Sequence, residues 1–157
     1  MAVKKGEAFV LGLDYGTDSC RAMVIDAGDG SEAGVGVAYY PRWKEGRFCN
    51  AGENRFRQHP LDYIDTLEGS VREALSQAGP DIVRKVRGIA IDTTGSTPCA
   101  VDEGGVPLAL KPEFAQNPAA MFILWKDHTA VAEAERINFL AKTWGGKDFT
   151  QYEGGIY

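Results

Sequence analysis

Metal-binding and disulfide chemistry have little to work with in this sequence. It has two histidines, His59 and His128, and three cysteines, Cys20, Cys49 and Cys99, none in a Cys-x-x-Cys spacing. That supply and spacing argue against a structural zinc site, and an odd number of scattered thiols fits a reducing compartment better than a disulfide framework. No apolar run approaches the roughly 20 residues of a membrane span. The run that follows Lys4 and Lys5 is broken by Asp14, too early for a signal peptide. A net charge of −5 leaves no basic stripe for nucleic acid. There is no internal repeat and no low-complexity tract. The expectation is a cytoplasmic protein without nucleic-acid or membrane partners.

What is present suits one folded domain. The 157 residues are 44% hydrophobic and 25% charged, enough to bury roughly two-thirds of the unfolded surface. Two β-rich runs, residues 9–13 and 21–25, flank a turn over 14–19, which reads as a hairpin with a functional tip. Asp14 stands where the first run ends. Gly16 lets the backbone approach a ligand, Thr17 and Ser19 add hydroxyls, and Arg21 supplies a planar donor fork. Successive amides in such a turn make a phosphate nest. The same residues would also serve an ordinary tight hairpin. No Gly-Lys-Ser/Thr follows, so the turn is not a P-loop.

A second turn at Asp29-Gly30 and alternation over 33–40 predict an antiparallel meander. Residues 41–60 read as a long polar loop, with Trp43 and Phe48 either closing over a ligand or, the favoured reading, anchoring the loop to the domain, and His59 structural or exposed. After Pro60, the positions Leu61, Ile64, Leu67, Val71, Ala74, Leu75 and Ala78 keep helical spacing until Gly79-Pro80. A short helical piece over 81–86 precedes residues 88–92, an apolar run expected to be a buried parallel strand. It delivers Asp92 and the turn Thr93-Thr94-Gly95-Ser96-Thr97 at its carboxyl end, the edge where open α/β sheets bind ligands. That turn suits a polyol, or is simply a Ser/Thr-rich link to a strand at 99–101. Residues 121–125 read as extended. Asp127 is the expected N-cap of a helix over 129–142, with Ala130, Ala134, Ile137 and Ala141 on one face. Trp125 is either a core residue or a flat wall for the apolar face of a sugar.

The pattern Gly12-x-Asp14-x-Gly16-Thr17-x-Ser19-x-Arg21 resembles the first phosphate motif of sugar kinases in the actin-like ATPase superfamily. With Tyr40-Pro-Arg-Trp43, the segment 88–98 and Phe122-Ile-Leu-Trp-Lys-Asp-His-Thr129, the order and spacing resemble the N-terminal part of the FGGY carbohydrate kinase family, in its ribulokinase branch. The likeness runs from about Val10 to Tyr157. It implies an α/β, ribonuclease H-like mixed sheet flanked by helices and incomplete, with residues 1–157 forming the sugar and terminal-phosphate side of the first domain. It implies ATP and magnesium as cofactors, ribulose as the sugar and ribulose 5-phosphate as product. An incomplete sheet with an unpaired edge and an uncovered apolar face is expected to self-associate into a homo-oligomer. Asp14 would act through magnesium, and Gly16, Thr17, Ser19 and Arg21 would shape the phosphate site. Thr94, Gly95, Ser96, Trp125 and, through a looser alignment, Tyr152 would contact sugar. The family's general-base Asp and its second, ATP-closing domain have no counterpart here, so an inactive N-terminal fragment is expected. The other readings are a non-catalytic sugar- or phosphate-binding module, another FGGY pentulose kinase, and a nuclease built on the same sheet.

Overall fold

The computed structural model describes residues 3–148 and 150–152. Its first three strands, β1 (Phe9–Tyr15), β2 (Ser19–Asp26) and β3 (Glu32–Tyr39), form the expected meander. Period-two alternation gives the sheet two unlike faces. Phe9, Leu11, Leu13, Cys20, Ala22 and Val24 are buried on one face, whereas Asp14 and Arg21 are exposed on the other.

Residues 41–60 are more ordered than a polar loop. They contain the short helix α1 (Pro41–Lys44), a 3₁₀ turn at Ala51–Glu53 and the two-residue strand β4 (Arg57–Gln58). Tertiary partners supply this order. The buried Asp62 carboxylate accepts the Arg42 and Trp43 amides at 3.3 and 3.2 Å and the Arg42 guanidinium at 2.7 Å, and so caps α1. Trp43 packs on Tyr15, Cys20 and Tyr40, and Phe48 packs on a cluster around Ala109 and Met121, which is the anchoring expected. His59 is buried, and its Nδ1 accepts the Leu61 amide at 3.1 Å.

Helix α2 (Pro60–Ala78) has the predicted bounds but a different buried stripe. Its deepest side chains are Asp62, Thr66, Ser70 and Ala74 rather than the leucines and valines. Gly34 and Gly36 of β3 cause this. A Cβ at Gly36 would fall 2.8 Å from the Ala74 nitrogen and still closer to the Ser70 carbonyl, so the helix backbone lies almost on the strand and only small residues fit between. Leu67, Val71, Leu75 and Ala78 are partly buried against the sheet core. The outer edge of β3 is covered, since its Val35 and Val37 amides donate to Gln77 and Glu73 of α2, each at 3.1 Å.

Next come α3 (Pro80–Val83) and β5 (Val86–Thr93), which pairs parallel to β1 and gives the order β3-β2-β1-β5. An antiparallel meander with a parallel strand beside its first is the mixed α/β sheet expected of a ribonuclease H-like domain. The expectation that β5 is buried fails. Ile89 and Ile91 are 65% and 63% exposed because the strand is a sheet edge flanked only by β1.

No strand forms at 99–101. A single bridge, Val101 to Pro107, closes a turn in which the Asp102 carboxylate accepts the Gly104 and Val106 amides. Three 3₁₀ turns then lead to β6 (Phe122–Ile123), which pairs antiparallel with β4. Helix α4 (Val131–Thr143) starts after Ala130, not at Asp127, and buries none of its residues. Asp127 instead holds β4 and β6 together. Burial alone would push its carboxyl up, but the Arg57 guanidinium, the Thr129 hydroxyl and the Phe56 and Thr129 amides outweigh that and hold it well below the usual range.

Candidate functional site

The polar face of the sheet carries the candidate phosphate residues. Asp14 is the penultimate residue of β1 and not part of the turn, and register places it directly opposite Arg21 of β2 and directly beside Asp92 of β5. Neighbouring strands lie about 4.8 Å apart, so the three side chains form a row across the sheet. They line an open depression of about 380 Å³ together with Gly12, Met23 and Ala90. Gly12 has no structural reason to be glycine, because an added Cβ meets nothing within 4 Å. A strand glycine facing open space leaves room for a ligand or another backbone to approach closely.

The tip of the hairpin is shorter than expected, residues 16–18, and is tightly held. The Gly16 amide donates to the Ser19 carbonyl at 2.9 Å, and the Ser19 hydroxyl donates to the Asp18 carboxylate at 2.9 Å. Ser19 therefore offers a phosphate site an oxygen rather than a free proton. The Tyr40 hydroxyl donates to the Gly16 carbonyl at 3.1 Å, and the Gln58 amide donates to the Thr17 carbonyl at 2.6 Å.

The candidate polyol turn begins where β5 ends. The Thr94 amide extends the β1–β5 pairing by donating to the Tyr15 carbonyl at 3.2 Å, and the Thr94 and Thr97 hydroxyls share a bond at 3.2 Å. Ser96 has φ of +56°, uncommon for a residue with a side chain. Gly95 resembles Gly12 in that a Cβ there meets nothing within 4 Å. Thr94 lines a smaller hollow of about 200 Å³ with Tyr15, Tyr63 and Phe122.

Trp125 is 59% exposed, which removes the core reading of that residue. It follows β6, whose Ile123 amide donates to the Pro98 carbonyl at 2.9 Å, so β6 is fastened just beyond the Thr93–Thr97 turn. Its neighbour Lys126 lies over the Trp43 and Phe56 rings at 4.8 and 4.6 Å. Trp125 lines neither hollow, and neither does Tyr152, which is exposed beneath the Lys147 ammonium at 5.0 Å. The chain thus brings Asp14, Arg21 and Asp92 together on the polar face, whereas Thr94 lines a separate hollow with Tyr15 and with Tyr63 of α2. Trp125 is linked to this group only through β6, and Tyr152 stands apart.

Comparison with known proteins identifies the lineage. No family model matches the chain. Curated sequences do: the ribulokinase of Vibrio parahaemolyticus is 49% identical over 148 residues, spanning 94% of this chain and 26% of that protein. The ribulokinases of Halalkalibacterium halodurans and Geobacillus thermodenitrificans are 35% and 36% identical, spanning 94% and 96% of this chain and 27% of each protein. This chain is a ribulokinase homologue. It spans about a quarter of the length of the curated ribulokinases it matches.

Two groups in this ribulokinase homologue escaped sequence reasoning. One is Asp92 as the lateral neighbour of Asp14, because parallel register depends on residues far apart in the chain. The other is the buried set Gln58, Tyr40 and Tyr63. Tyr63 stacks on Tyr15, Tyr40 and Phe122 with centroids 5.3, 5.0 and 4.4 Å apart. The Tyr-Pro-Arg-Trp motif was a signal for Tyr40, but nothing local marks Gln58.

Proposed function

We propose that the chain is the N-terminal, substrate-side part of an ATP-dependent ribulokinase of the FGGY type. The intact enzyme transfers a phosphoryl group from ATP to the terminal hydroxyl of ribulose, giving ribulose 5-phosphate in arabinose catabolism. One observation carries this reading: Asp14, Asp92 and Arg21 stand in a row at the carboxyl ends of β1 and β5, beside the Thr94–Ser96 turn, in a homologue of ribulokinases.

Phosphoryl transfer is catalysed mainly by positioning and by offsetting charge. The Arg21 guanidinium, across from Asp14, suits phosphate oxygens, and the turn amides with the Thr17 hydroxyl suit the same group. Gly16 leaves the backbone open to it. Thr94 and Ser96 would bond sugar hydroxyls, Gly95 would let the sugar carbons approach, and the exposed Trp125 ring would form an apolar wall. Tyr152 is the outermost candidate for a sugar contact.

Among the described residues no group of three or more His, Cys, Asp or Glu could cage a metal. Magnesium does not need one, since it commonly takes one or two carboxylates and fills its shell with water and phosphate oxygens. Asp14, with Asp92 beside it, fits that requirement. A bound magnesium would offset charge developing on the transferred phosphoryl group.

The test uses a chain extended to the relatives' full length in a coupled ADP-release assay with ribulose and magnesium-ATP. Asp14→Asn should lower kcat by about 10²–10³-fold and leave ribulose affinity nearly unchanged. Collapse of ribulose affinity with turnover of bound sugar intact would show that Asp14 serves the sugar instead.

A further inference from the structure

We propose that Gln58, held in place by Tyr63, is a positioning residue that sets the conformation of the phosphate hairpin and ties it to the strand leading to Trp125. The inference deepens the kinase reading and rests on it for what the hairpin binds.

Gln58 is 2% exposed and uses both ends of its amide. Its Nε2 donates to the Thr17 carbonyl at 2.6 Å and its Oε1 accepts from the Tyr63 hydroxyl at 2.7 Å. The Thr17 carbonyl can only accept, which fixes the orientation of the amide. Tyr63 remains a donor across the working pH range, because burial pushes its hydroxyl up to about 12.

The consequence for the tip follows from covalent geometry. The Gly16, Thr17 and Asp18 carbonyls accept from the Tyr40 hydroxyl, Gln58 and the Tyr40 amide respectively, so all three are drawn toward the protein. In a trans peptide the C=O and the following N–H point in opposite directions, and no described peptide is cis. Drawing the Gly16 and Thr17 carbonyls inward therefore turns the Thr17 and Asp18 amides away from Tyr40 and Gln58. Two successive amides facing one way are the start of an anion nest.

The same residue reaches the other half of the site. Gln58 is in β4, opposite Phe122 of β6, and Phe122 stacks on Tyr63. Arg57, its neighbour, is locked to Asp127 by bonds of 2.6 and 3.2 Å. The segment that carries Trp125 and the phosphate hairpin thus share one buried support.

Two variants test the inference on the 157-residue chain. Gln58→Met keeps length and apolar stem but loses the amide, and Tyr63→Phe keeps the stacked ring but loses the hydroxyl. Nuclear relaxation should show the Thr17 and Asp18 order parameters falling from about 0.85 to below about 0.6 in Gln58→Met, with a smaller fall in Tyr63→Phe and no change in α2. Titration with magnesium-ATP should shift the Thr17 and Asp18 amides in the wild type, with at least about tenfold weaker affinity in Gln58→Met by loss of the preorganised tip. A purely structural role would lower the melting temperature without that selective loss. A tip as rigid in both variants as in the wild type overturns the inference. A rigid wild-type tip that ignores magnesium-ATP also in a chain extended to the relatives' full length overturns the kinase reading instead.

Discussion

Single residues decide how closely α2 lies on the sheet, and glycine is the deciding type. Gly34 and Gly36 face the helix, where a side chain would collide with backbone atoms of Ser70, Ala74 and Ala78. Backbone cannot yield as the end of a flexible side chain can, so Gly36→Ala must push the helix outward. Overpacking of this kind costs about 1–3 kcal/mol, and a domain of this size loses about 2–4 °C of melting temperature per kcal/mol. Thermal unfolding of Gly36→Ala should show a fall in that range, whereas Gly12→Ala, which meets open space, should melt within about 0.5 kcal/mol of the wild type. Equal melting of both variants would mean that α2 sits farther from β3 than described. The contrast also bears on the site. Gly12 and Gly95 are unconstrained by the fold, so losses in ligand affinity on substituting them would report the ligand's approach and not stability.

Among the elements, the short ones depend on ion pairs. Strands β4 and β6 have two residues each, far below the length that holds a ladder alone, and Arg57–Asp127 is the bond that joins their surroundings. The two side chains are 9% and 1% exposed. Removing one partner of a buried pair costs about 3–5 kcal/mol, so Asp127→Asn should unfold earlier at neutral pH by that amount. The pH dependence has a definite sign. The folded Asp127 carboxyl titrates below its unfolded value of about 3.9, so its contribution is complete above that value and is lost as pH falls toward the folded one. Chemical denaturation from pH 7 to 2 should show the wild type losing part of its stability below about pH 4 and Asp127→Asn losing less over the same interval. An unchanged acid limb in the variant would assign the loss to other carboxylates. These elements also mark where the sequence stopped being legible. The meander and α2 follow from periodicity, and their bounds agree closely with expectation. Helix α1, β4 and the true start of α4 do not, since Asp62 and Asp127 act on backbone far from them in the chain. The position of Asp14 at a strand end was readable from its apolar run. Its pairing with Asp92 and the burial of Gln58 were not, because both arise from register between distant strands.

On the scale of the whole molecule, the sheet has one guarded edge and one open one. Gln77 and Glu73 cover β3, but β5 exposes Ile89 and Ile91 beside a groove of about 540 Å³ that Leu11, Leu13, Ile64, Leu67 and Val71 also line. Ile137, Phe139 and Leu140 of α4 are likewise at least half exposed. An open apolar edge strand pairs readily with another copy. The 157-residue chain should therefore self-associate through β5. Light scattering across a dilution series should give a mass above one chain that falls on dilution. Lysine is a standard guard for an edge strand, and Ile91→Lys places one in the middle of the exposed row, on the face opposite Asp14. The variant should shift the series to monomer. A wild-type chain that stays monomeric at high concentration would show that β5 is protected, and an Ile91→Lys chain that still associates would move the contact to the exposed residues of α4.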